Sequence, residues 1–145
     1  MRKGLKYVSI LLTLLMVFSM LLPINAVLAE DNNAKTITIL ATSDLHGRLY
    51  PWEYAAGKAD EKTGLAKIHT LVKAEKSKNP NTILVDCGDL VQGNLADLFN
   101  DQPVHPMVEA INHMEYDAWV LGNHEFNFSL DFLYRNVAAF KGSVL

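Results

Sequence analysis

The sequence predicts an α/β fold built on a parallel sheet. Three observations carry that reading. Short β-branched, apolar runs alternate with longer amphipathic ones along the chain. Each of the first three short runs empties into a loop rich in glycine, aspartate, histidine and asparagine. Beyond residue 29, 52 of 116 residues are apolar, the share of an ordinary globular domain.

The chain opens on Arg2, Lys3 and Lys6, followed by 23 uncharged residues from Tyr7 to Ala29 that Pro23 interrupts. A basic start, an apolar run, a helix-breaking proline and small residues at Val27 and Ala29 are the layout of a secretory signal. The reading is a signal peptide over 1–29, cut before Glu30. An uncleaved anchor is the plainer alternative, because a run of this length can span a bilayer. The proline and the cleavage site favour removal. The expected destination is periplasmic, cell-wall associated or extracellular, with membrane contact only during export.

Residues 30–35 form a polar leader, and 36–145 read as one domain. Thr36 to Ala41 is a buried strand by its β-branched, apolar run. Ser43 to Asp60 is loop-like, with Gly47, Pro51 and Gly57. Leu65, Ile68, Leu71 and Val72 recur at helical spacing, which predicts a helix over Thr63 to Lys78. Asn79-Pro80-Asn81 ends it, and Thr82 to Val85 is the second strand. Pro106 suits the first turn of a helix that carries Met107, Val108, Ile111 and Met114 on one side. Ala118 to Leu121 is the third strand, Leu130 to Phe140 the last helix, and Ser143 to Leu145 a fourth strand. Such alternation implies a parallel sheet covered on both faces.

Charge narrows the function. After the signal, 10 basic and 16 acidic residues leave a net charge of −6. That balance argues against a polyanion-binding surface, and with it against nucleic acid as a polymer partner. The one cysteine, Cys87, can form no internal disulfide. Acidic neighbours would raise its pKa, so it reads as a small buried residue at a strand end and not as a reactive thiol.

The chemistry lies in the three loops: Ser43-Asp44-Leu45-His46-Gly47, Asp86-Cys87-Gly88-Asp89, and Gly122-Asn123-His124-Glu125. In a parallel sheet all three leave at the same carboxyl edge, where ligands bind in open α/β folds. Asp44 and His46 are two apart, so on an extended chain both would face one ion. Carboxylate, imidazole and amide oxygen together suit manganese, zinc, iron or cobalt better than calcium. Each loop alone is a weak signal. The three in this order are a strong one.

Together these loops resemble the signature of the calcineurin-like metallophosphoesterase superfamily, in its nucleotidase and cyclic-nucleotide phosphodiesterase branch. TSDLHGRL, VDCGDLVQGN, HPMVEAIN and LGNHEFNFSLDFL carry the resemblance, from about Thr36 onward. It implies a four-layer α/β/β/α sandwich of which the first half is present, so that 36–145 is the N-terminal part of a metallophosphoesterase domain. It also implies two divalent metal ions and a small nucleotide substrate. By position, Asp44 and His46 would bind the first ion, Asp89 would bridge both, and Asn123 would bind the second. His124 would sit beside the phosphate as general acid or transition-state donor.

Asn127 stands where the branch acting on 5'-monophosphates has aspartate. The resemblance therefore implies hydrolysis of 2',3'-cyclic nucleotides to 3'-nucleotides and then removal of the 3'-phosphate. 5'-Nucleotidase action is the alternative within the superfamily. A truncated, inactive fragment is the alternative of another class, since further ligands are expected downstream. On that ground the 145-residue chain by itself is expected to be inactive. Asn127 and His105 are weaker candidates for substrate contact, His105 being the simpler as a helix cap. Asp86 reads as a strand-end hydrogen-bonding residue, and Glu125 as a support for its loop.

Overall fold

The computed structural model describes residues Lys35–Leu145; the signal and most of the polar leader lie outside them. Four parallel strands make the main sheet: β1 (Thr38–Thr42), β4 (Thr82–Asp86), β5 (Ala118–Trp119) and β6 (Ser143–Val144), in the order β1-β4-β5-β6. Between successive strands of this sheet run α1 (Leu65–Lys78), α2 (Pro106–His113) and α3 (Leu130–Ala139). The register sets Leu40 beside Leu84 and Asp86 beside Trp119. Among the described residues no helix is long and apolar enough to cross a membrane.

The helices start where the sequence supplies a cap. His105 accepts from the Met107 N–H ahead of Pro106 at the start of α2, and Ser129 accepts from the Phe132 N–H at the start of α3. Their apolar stripes bury Met107, Val108, Ile111 and Phe132 against Leu84 and Trp119 of the sheet, with Leu65 and Val72 from α1. Each buried side chain of this size is worth roughly 1.5–3 kcal/mol.

Two expectations are corrected here. Among the described residues the sheet is covered on one face only. Leu84 and Trp119 are fully buried, but Ile39 on β1 is 67% exposed and Ile83 on β4 41%. The reason is topological: the strands add in one direction, and right-handed crossovers then stack every helix on the same side. Cys87 is exposed, not buried. It follows Asp86, whose side chain points to the helix side, and strand alternation turns the next residue to the bare face.

The stretch read as loop before α1 holds a small antiparallel hairpin, β2 (Trp52–Glu53) with β3 (Lys58–Ala59). Arg48 lies between Glu53 and Asp60 at 3.7 and 3.9 Å and ties its two ends. Strands of two residues are too short to show an alternation in sequence. A 3₁₀ turn, Asn94–Phe99, follows the second loop.

Candidate metal centre

The three loops meet at the carboxyl edge of β1, β4 and β5. The first two run side by side: the Asp44, His46 and Gly47 N–H groups donate to the carbonyls of Gly88, Asp89 and Leu90, each at 3.0 Å. This ladder holds Asp44, His46 and Asp89 in left-handed backbone, at φ of 54°, 46° and 56°. The chain is therefore not extended after β1, as the two-residue spacing suggested. The side chains converge nonetheless, with His46 Nε2 4.0 Å from Asp44 Oδ1. Gly47 is a steric requirement, because a Cβ there would overlap the Gly93 carbonyl.

Ligand atoms of His46, Asp89 and His124 all lie within 4.8 Å of one another. The rings of His46 and His124 meet edge to face, with centroids 4.9 Å apart. His124 is anchored by its own N–H, which donates to Asp89 Oδ1 at 3.0 Å. His46 Nδ1 lies 3.0 Å from the Gln92 carbonyl. A carbonyl can only accept, so Nδ1 carries the proton and Nε2 is left free for a metal. Asn123 is the exposed residue that opens the 3₁₀ turn His124–Phe126.

Glu125 holds the arrangement from beneath. It is 1% exposed. Its Oε1 accepts from Leu90 and Val91 N–H at 2.7 and 3.3 Å, and its Oε2 from Asp89 and Gly122 N–H at 2.9 and 2.6 Å. One carboxylate thus stitches the second loop to the third. These are charge-assisted bonds, the strong kind.

Asp86 is fully buried at the end of β4, accepting from Thr42 Oγ1 at 2.6 Å and Gly88 N–H at 3.0 Å. Burial pushes its carboxyl up to about 6, against those hydrogen bonds and with help from the charges of Glu125 and Asp44. The folded protein therefore holds this proton at pH values where the unfolded chain releases it. The stability so gained is complete below about pH 4 and is lost as pH rises through 6. In the metal-free chain, Asp86→Asn should gain up to roughly 2–3 kcal/mol over the parent at pH 7, and almost nothing at pH 4. Urea midpoints across that range read the difference; a constant offset would refute it.

The structure does not bring His105 to the loops. It is fully buried at the N-cap of α2, its Nδ1 accepting from Met107 N–H at 3.3 Å and its ring on Phe132. Burial lowers its pKa to about 4. A capping role thus takes the place of the substrate contact considered for it. Asn127 is exposed, and its Nδ2 lies 2.8 Å from His124 Nδ1 and 2.6 Å from Gln92 Oε1. Sequence reasoning assigned Gln92 nothing. Its position inside VDCGDLVQGN, one of the segments carrying the resemblance, was the available signal.

The family model for calcineurin-like phosphoesterase matches residues 37–144. The trifunctional nucleotide phosphoesterase protein YfkN of Bacillus subtilis is 39% identical over 136 residues, covering 86% of this chain and 9% of that protein. Its crystal structure, described as a calcineurin-like phosphoesterase, superimposes with a TM-score of 0.69 at 36% identity, over 75% of this chain and 36% of that one. A 2',3'-cyclic-nucleotide 2'-phosphodiesterase/3'-nucleotidase of Salmonella typhimurium is 38% identical over 79% of this chain and 19% of its own length. The 5'-nucleotidase of Homo sapiens is 34% identical over 75% and 19%. The chain thus spans a fifth or less of the length of these three curated relatives.

Proposed function

The chain belongs to the calcineurin-like phosphoesterase family, and from that premise we propose that it forms the metal-binding core of an exported nucleotide phosphoesterase. The proposed reaction is hydrolysis of 2',3'-cyclic nucleotides to 3'-nucleotides, followed by removal of the 3'-phosphate. The observation that carries it is the convergence of His46, Asp89 and His124 within 4.8 Å at the carboxyl edge of the sheet. Mixed nitrogen and oxygen donors fit manganese, zinc, iron or cobalt. Asp44 and His46 would hold the first ion, Asp89 both, and Asn123 the second.

When bound, the ions supply Lewis acidity toward the phosphate oxygens and activate the attacking water. The chain's own residues do the rest. Asp89 has two oxygens to share, which suits a bridge, and its carboxylate also fixes the His124 main chain. His124 stands beside the phosphate and, when both ring nitrogens carry protons, donates the one on Nε2 toward the departing oxygen. Asn127 lies against that ring and donates to Gln92 Oε1, adding no charge.

Preference for the cyclic substrate is supported by Asn127 and by the 38% identity to a relative named for it. The arrangement of basic start, apolar run and small residues before Glu30 supports export. The test supplies 2',3'-cyclic AMP, 3'-AMP and 5'-AMP with manganese to the longest protein that carries this chain. Catalytic efficiency should be greatest for the first two. If 5'-AMP is cleaved best, the 5'-nucleotidase reading replaces this one.

A further inference from the structure

One residue touches both imidazoles of the centre. The Gln92 main-chain carbonyl takes the proton of His46 Nδ1 at 3.0 Å. Its side-chain Oε1 lies against His124 Nδ1, and Asn127 Nδ2 donates to the same oxygen at 2.6 Å. We infer that Gln92 is a positioning residue whose side-chain amide keeps the proton of neutral His124 on Nδ1, leaving Nε2 as the nitrogen presented to phosphate or metal. The inference rests on the reading of His124 as the residue beside the phosphate.

The argument is one of hydrogen-bond valence. Gln92 Oε1, His124 Nδ1 and Asn127 Nδ2 form a closed triangle. An amide oxygen cannot donate, and it has two lone pairs. If His124 Nδ1 were unprotonated, two acceptors would face each other at the closest edge of the triangle. With the proton on Nδ1, Oε1 accepts from His124 and Asn127 together, and the one unmatched edge is the longest, with Asn127 Nδ2 beside His124 Nδ1 at 2.8 Å. Gln92 is half-buried and directly precedes Gly93, whose N–H donates to Asp97 Oδ1 at 2.8 Å. The side chain is therefore held at its root by the turn that follows it.

A purely structural role would make both histidines respond to a change at this position. A positioning role separates them, because His46 is held by the main chain and His124 by the side chain. The experiment labels the histidine nitrogens in the full chain, free of metal, and reads each tautomer from long-range proton–nitrogen correlations. In the parent both rings should show a protonated Nδ1. Gln92→Met keeps side-chain length and removes the acceptor, so His124 Nδ1 should shift toward the unprotonated range while His46 stays unchanged. Gln92→Glu restores an acceptor oxygen and should restore the parent signal. Asn127→Ala should leave the His124 tautomer in place.

An unmoved His124 in Gln92→Met overturns the inference. So does His46 moving with His124, which would mean the loop had collapsed, or a tautomer governed by Asn127 instead. No substrate or ion enters the measurement. Loss of the phosphodiesterase reading would therefore leave this outcome intact, and the reverse also holds.

Discussion

Replacing Asp89 by alanine should weaken manganese binding to the chain by more than about 100-fold, beyond what loss of a supporting partner around a metal costs. Asp44→Ala should cost less. The difference follows from geometry. His46, Asp89 and His124 form the group whose ligand atoms lie within 4.8 Å, whereas Asp44 approaches it through His46 at 4.0 Å. Removing Asp89 would take a ligand from both proposed ions and the one carboxylate from that group; removing Asp44 would take a ligand from the first ion alone and leave the group whole. Asp89→Asn separates charge from scaffold, since an amide oxygen can still accept the His124 N–H. It should therefore keep the fold and lose the metal. Equilibrium dialysis with elemental analysis reads all three variants, and turnover in a longer protein should fall in the same order. An Asp89 loss equal to or smaller than that at Asp44 would show that Asp89 is not the shared ligand.

Glu125→Gln should cost about 3–4 kcal/mol of folding stability, a loss characteristic of a broken buried hydrogen-bond network. The substitution preserves shape almost perfectly, so its effect is one of hydrogen-bond sense and charge. Each carboxylate oxygen receives two main-chain N–H groups, one pair from Leu90 and Val91, the other from Asp89 and Gly122. An amide placed either way points its own NH2 at one of these pairs. Two donors then face donors in a site closed to water, and the negative charge that strengthened all four contacts is gone. Urea unfolding should show a lower midpoint at unchanged slope. A loss under about 1 kcal/mol would mean that the loops hold each other without Glu125.

Much of this was legible in sequence, and the failures have physical causes. The parallel sheet followed from alternating apolar periods, and the carboxyl-edge placement of Asp44, His46, Asp89 and His124 followed from the sheet. Asp86 and Glu125 were readable as supports, because the resemblance implies a ligand role for neither. Gln92 was not readable as a support. Whether an amide serves one imidazole or two is decided by how two loops, 32 residues apart at Gln92 and His124, come together. Nor could periodicity show that the helices of the described residues share one face of the sheet, since it says nothing about strand order. The backbone after β1 was misread for a related reason. A two-residue spacing fixes facing only if the chain is extended, and here it is left-handed at both Asp44 and His46.

Those left-handed positions carry a consequence for how the molecule can change over generations. Glycine would sit at 44, 46 or 89 more easily than aspartate or histidine, by about 1–2 kcal/mol at each position. Stability and chemistry therefore pull in opposite directions at the same three codons. A lineage released from any demand on those side chains would find some of its cheapest stabilising mutations there. Its first step toward a sturdier fold would also be the step that dismantles the candidate metal centre, so loss of that centre in a descendant need not mean that its fold has decayed.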